Sequence, residues 1–207
     1  IIKTSSNQQA YVTDNKDPNK LGRIKVRFWW MKRGQSTPWL KVLTPYSHLK
    51  AGIYFVPALN SRVLVGFEDD DVEKPYCLGT LYDEAVTPDP DWVGNANEGD
   101  AKIHAIRTAS GNTIEFHDSE GGEKITLYDK DDKNRITLDS ANRTLTIHAD
   151  GTLNINASKI NIKAEKEFTL ICEKSDTTVT KDMNMTIGNN LSIDAGRNFS
   201  LASGSDN

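Results

Sequence analysis

The stretch Asp150–Cys172 reads DGTLNINASKINIKAEKEFTLIC. Its apolar residues come in pairs separated by one polar position: Leu153/Ile155, Ile160/Ile162 and Phe168/Leu170. Alternation of this kind puts each pair on one face of a short strand. Between pairs stand Asn, Asp and Gly, the residues that tolerate the positive φ of a tight corner. Each repeat therefore reads as a short strand and a bend.

The same pattern extends in both directions. The second apolar member of each pair falls at Phe116, Leu127, Leu138, Ile147, Ile155, Ile162, Leu170, Val179, Ile187, Ile193 and Leu201. The first two steps are eleven residues, lengthened by the turn-rich inserts HDSEGGEK and YDKDDKNR; later steps settle near eight. Gly151, Gly188 and Gly196 stand just before strands. One strand per repeat is too narrow to close a core within one chain, because single-chain β-helices spend about 20 or more residues on each coil or use stricter Gly-rich repeats. Intertwining solves this. Three identical chains wound about one axis would bring their apolar pairs together and pair every strand edge with a neighbour. The expected object is a homotrimeric triple-stranded β-helix, or prism. A single-chain solenoid and an ordinary β-sandwich are the alternatives.

Working back toward the N-terminus, composition breaks near residue 92. All seven prolines and all four tryptophans lie at or before that position. GRIKVRFWW alternates Ile24, Val26 and Phe28 against Arg23, Lys25 and Arg27. WLKVL follows Pro38, GIYFVPALNSRVLVGFED holds two apolar runs split by Pro57 and an Asn-Ser turn, and KPYCLGTLYD closes the set. About five short strands with turns between them suggest a small antiparallel barrel of OB type. The fold class is all-β, divided into an OB barrel over 1–90, a linker and lead-in over 91–110, and the triple-stranded β-helix over 111–207.

Composition narrows the functions available. The formal net charge of −4 argues against a nucleic-acid binder, which needs a basic face. A hydrophobic content of 37% is low for a globule and suits an elongated chain or one that shares its core with other chains. No run of about 18 apolar residues occurs. Cys77 and Cys172 are far apart, outside metal-ligand spacing, and read as two small buried hydrophobes. The chain opens on Ile1 instead of Met, the expectation for a piece of a longer protein.

The N-terminal half also resembles a known family. YVTDNKDPNKLGRIKVRF is similar to the D-x-x-D-P-x-x-x-G-R-[VI]-[KR]-V-x-F opening of the OB domain in VgrG (valine-glycine repeat) spike proteins of type VI secretion and related contractile injection systems. The resemblance continues through Trp39, Val42, Pro45, Gly52, Phe55, Pro57, Val63, Val65, Phe67, Pro75, Gly79, Leu81 and Tyr82, and into RTASGNTIEFHDSEGGEKITLYDK. Ser61 and Asp70 stand near positions where the family has glycine, which puts local loop shape in question. Neither the large N-terminal hub domain nor a terminal His-x-His metal site is present in the sequence.

The resemblance implies a mechanical part. The family trimer sits at the end of a rigid tube, where sheath contraction drives it through a target membrane with effector cargo. The implied partners are two further copies of the chain, the tube protein, baseplate components, a tip-capping protein and effectors, with the target membrane met transiently and no nucleic acid. The implied location is the bacterial cytoplasm on assembly and the outside or the target cell on firing. A phage or extracellular injection-particle baseplate spike of the same build is the near alternative. A non-enzymatic OB binding module on a solenoid stalk is the distant one.

No catalytic, cofactor or metal site emerges, and no enzyme is expected. His48, His104, His117 and His148 are scattered. His117 and His148 each follow an apolar strand position, so alternation turns them away from the shared axis and from a threefold metal site. Glu68, Asp69, Asp70, Asp71 and Glu73 lack the spacing of a calcium loop and read as a solvated hairpin turn. RIKVRFWWMKR could serve a nucleic-acid-binding OB face, but the net charge opposes it. Nucleophile-elbow, HExxH and P-loop motifs are missing.

Overall fold

A computed structural model of the chain describes residues 6–94 and 102–204. Five strands build the N-terminal barrel: β1 (Gln8–Asp14), β2 (Lys25–Phe28), β3 (Lys41–Val42), β6 (Arg62–Phe67) and β7 (Pro75–Leu81), in the order β2-β1-β6-β7-β3. The hairpin of β4 (Ser47–His48) and β5 (Ala51–Gly52) stands apart as its own two-stranded sheet. An antiparallel bridge from Ile24 to Leu40 joins the two edges and closes the barrel. Closure leaves no long open edge on which another chain could add.

Alternation supplies the core. Val26 and Phe28 on β2, Ala10 and Val12 on β1, and Val63 and Val65 on β6 point inward, with Ile24, Leu40 and Cys77 completing a buried cluster. The buried Thr37 closes the barrel's seam: its hydroxyl accepts from the Val26 amide at 3.1 Å, and its own amide donates to the Val26 carbonyl at 2.9 Å. Burial pushes the Cys77 thiol up in pKa, so it behaves as a small hydrophobe. Cys172 departs from the expected burial and is exposed, because the segment carrying it has no packing of its own.

Left-handed backbone occurs beside Ser61 and at Asp70, the positions near which the family has glycine. Asn60 (φ 67°), Asp69 (φ 52°) and Asp70 (φ 59°) take the left-handed conformation themselves, which Asn and Asp do more readily than other side chains. One apolar run departs from the strand reading. Ile53, Tyr54 and Phe55 form no barrel strand and are 46%, 80% and 63% exposed.

A short helix, α1 (Pro90–Gly94), follows the barrel. A second sheet then opens at Ile103, inside the stretch read as linker and lead-in; residues 95–101 of that stretch lie outside the described residues. Its strands are β8 (Ile103–Arg107), β9 (Thr113–His117), β10 (Lys124–Tyr128), β11 (Asn134–Asp139) and β12 (Thr144–Ala149), an antiparallel meander in sequence order. The inserts that lengthen the early repeats are its hairpin turns. The chain divides into two compact units between Asn154 and Ile155. In the second unit the described residues, up to 204, form no strand ladder and are exposed throughout.

Candidate functional site: an uncovered apolar sheet face

The register of the second sheet aligns its apolar residues in two unbroken rows. One row runs Ile106, Ile114, Leu127, Ile136, Ile147 across all five strands. The other runs Phe116, Ile125, Leu138, Leu145, and ends on β8 at His104. These nine apolar side chains share one face and remain between 36% (Ile114) and 65% (Leu145) exposed. A contiguous apolar face of this kind marks an interaction surface. Burying the exposed half of nine such side chains is worth on the order of 10 kcal/mol per chain.

The opposite face is polar, yet it is the better covered of the two. Thr113 and Thr126 are 2% and 5% exposed. Arg107 stands at the centre of a network on this face. Its guanidinium donates to Asp89, to the Thr113 hydroxyl at 2.9 Å and to the Tyr128 hydroxyl at 2.9 Å, and lies 4.6 Å from the Trp92 ring centroid. Glu115 accepts from Tyr128 at 2.6 Å and from the Trp92 indole at 3.0 Å, and pairs with His117 at 3.2 Å. Burial opposes the charge on Glu115, but the hydrogen bonds from Tyr128, Trp92 and His117 outweigh it and hold the carboxyl below its usual range. The network fastens Asp89 and Trp92, at the start of α1, to three strands of the sheet.

From Leu153 onward the apolar pairs stay exposed. Leu153/Ile155, Ile160/Ile162 and Phe168/Leu170 are all between 52% (Ile160) and 71% (Ile162) exposed. Their backbone groups find no ladder partner within the described chain. An extended segment with open edges and apolar pairs is a template for further strands.

The sequence-derived candidate residues disperse over this frame. His48 is on β4 and exposed. His117 and His148 lie on the polar face, away from the apolar rows. His104 falls in an apolar row, 3.5 Å from Asp118. The acids from Glu68 to Glu73 form the β6–β7 turn, where the Asp71 carboxylate accepts from the Glu73 amide at 3.0 Å. Among the described residues no group of three or more His, Cys, Asp or Glu could hold a metal ion. On the basic strand, Lys25 reaches over the Trp39 ring at 4.9 Å, and Trp30 stacks on Phe28 at 5.3 Å.

Sequence reasoning missed two polar constellations. One is the Arg107–Glu115–Tyr128 network. The other is the Asp17–Arg23 pair, whose signal was in the D-P-x-x-x-G-R motif itself.

Comparison with known proteins agrees with the barrel. Residues 8–82 match the type VI secretion system/phage-baseplate injector OB domain. The chain is similar to the type VI secretion system spike protein VgrG1a of Pseudomonas aeruginosa, 23% identical over 130 residues that cover 59% of this chain and 20% of that protein. VgrG5 of the same organism is 27% identical over 115 residues, covering 53% of this chain and 15% of its own length. The actin cross-linking toxin VgrG1 of Vibrio cholerae is 24% identical over 115 residues, 54% of this chain and 10% of that protein. The matched part is a fifth or less of each of these relatives. Residues 8–82 are an injector OB domain of the type VI secretion and phage-baseplate kind, and the chain that carries them resembles the VgrG spike proteins.

Proposed function

We propose that this chain is the shaft-bearing part of a homotrimeric spike in a contractile injection apparatus. Three copies bring the apolar rows of the second sheet, and the apolar pairs beyond it, onto a shared axis as a triple-stranded β-helix. The observation that carries the reading is the inversion of the second sheet, with its polar face covered and its apolar face open. That arrangement suits a chain whose core is completed by its own copies. Each copy would supply strand edges to the next, so bending the shaft would break many hydrogen bonds together. The role is structural: puncturing a target membrane and helping carry effectors. Tube protein, baseplate, tip-capping protein and cargo are the proposed partners. Assembly in the bacterial cytoplasm is followed by export on firing. A phage or extracellular injection-particle spike is a second reading, favoured because the matched OB domain is described for both kinds of machine.

Light scattering coupled to size exclusion tests the trimer. The expected mass is three times the 23.0 kDa chain. A stable monomer across the accessible concentration range, with its apolar rows still open, would overturn it.

A further inference from the structure

In the two apolar rows of the second sheet one position is titratable. The row Phe116, Ile125, Leu138, Leu145 ends on β8 at His104, which is paired directly with Phe116. His104 shares this face with Ile106, whereas His117 and His148 lie on the other. The alternation that takes those two histidines off the apolar face puts His104 on it.

A carboxylate accompanies it. The Asp118 amide donates to the Lys102 carbonyl at 2.8 Å, which extends the β8–β9 pairing one step past Ile103 and His117. That step sets Asp118 on the same face as Phe116 and His104. Asp118 Oδ2 lies 3.5 Å from His104 Nε2, and the side chains of His104 and Asp118 are 60% and 65% exposed. Among the described residues, Nδ1 of His104 has no partner. Burying this face would strand that nitrogen, and an unpaired polar atom away from water destabilises. A ring with a carboxylate beside one nitrogen and the other nitrogen free has the layout of a metal-binding histidine. One chain supplies a single such nitrogen, so among its described residues no metal group is complete.

We infer that His104 from three copies forms a binding site for one divalent transition-metal ion, at the β8 end of the shared apolar rows. The inference rests on the trimer proposed above. Threefold symmetry places a residue that faces the shared axis beside its own two copies at one level. Three imidazole nitrogens converging there make a ligand set for Zn²⁺ or Ni²⁺, with water in the remaining positions. The Asp118 carboxylates orient the rings. The ion satisfies three nitrogens that the apolar rows cannot, and it ties the three chains together where those rows begin.

Metal loading of the untagged full chain tests it. After incubation with Zn²⁺ and dialysis, elemental analysis should find one ion per three chains. Co²⁺ in its place should give visible ligand-field absorption. His104→Leu completes the apolar row, so it should keep the trimer mass while losing both signals; His117→Ala should keep both. Asp118→Asn should weaken Co²⁺ binding about ten- to a hundred-fold at unchanged mass. Stripping the metal with a chelator should lower the concentration at which dilution must stop before the trimer resists dissociation no longer: the half-dissociation concentration rises several-fold in the parent and stays put in His104→Leu. A trimer that retains no ion, or retains it equally in His104→Leu, overturns the metal site and leaves the shaft reading standing. A chain that stays monomeric removes both.

Discussion

The Asp17 carboxylate receives both arms of the Arg23 guanidinium, with Nε and Nη2 each at 2.8 Å from one carboxylate oxygen. The same two oxygens accept the Asn19 and Leu21 amides at 3.0 Å. One side chain thereby organises the whole turn leading into β2. The guanidinium is the main reason that the Asp17 carboxyl is held far below the usual carboxylate range, with the backbone amides adding to it against the opposing effect of burial. Asp17→Asn keeps the shape but loses the charge, and Arg23→Lys loses the two-pronged geometry. Both variants should melt at lower temperature than the parent, with Asp17→Asn the worse, as followed by circular dichroism.

Acid should expose the same dependence. Asp17, Asp83 and Glu115 all have lowered pKa values in the folded chain. The backbone amides of Ala85 and Val86 are the main cause at Asp83. When a folded pKa is depressed, the unfolded chain binds protons first. The stability these groups contribute is complete above the ordinary carboxylate range, near pH 4, and is lost as pH falls through the folded values. Urea midpoints should therefore be level with respect to these groups at neutral pH and fall steeply in acid. Asp17→Asn should flatten that fall; an unchanged acid slope would remove the assignment.

The apolar rows should tolerate no charge. Leu127→Glu or Ile136→Glu should shift the light-scattering mass toward the single chain, while Thr144→Glu, exposed on the polar face, should not. Truncation is milder: Leu127→Ala should weaken the proposed trimer by about 2–5 kcal/mol per buried site. An unaltered mass for both Glu variants would count against the shared axis.

The β8–β9 turn needs its glycine. Gly111 sits at φ 102°, and a Cβ there would lie 2.9 Å from the Lys130 Cβ. Gly111→Ala should cost about 1–3 kcal/mol, read as a lower melting temperature with the barrel's aromatic signals intact.

Much of this architecture could be read from spacing alone. Ile24, Val26 and Phe28 alternate in sequence and are buried in the barrel. The pairs at Ile125/Leu127 and Ile136/Leu138 lie on one sheet face because period-two spacing guarantees it. Ile53–Phe55 went astray because an apolar run signals contact without saying with what, and here the barrel does not cover it. The Arg107 network was illegible for another reason: Asp89, Trp92, Glu115 and Tyr128 meet only after a helix and three strands have come together. The Asp17–Arg23 pair is intermediate, since six residues separate its members and only the shape of the turn brings them together.

Among the described residues, the absence of ladder partners beyond Asn154 has a kinetic consequence. A ribbon with nothing of its own to pair against cannot order ahead of its neighbours, so the barrel and the five-stranded meander must form first. In the trimer proposed above, three finished heads would then bring their ribbons into one another's reach at high effective concentration. Winding would proceed from that end toward the C-terminus like a closing zipper. Proteases added early in refolding should trim the ribbon and spare the head, and protection should arrive at a rate that rises with protein concentration.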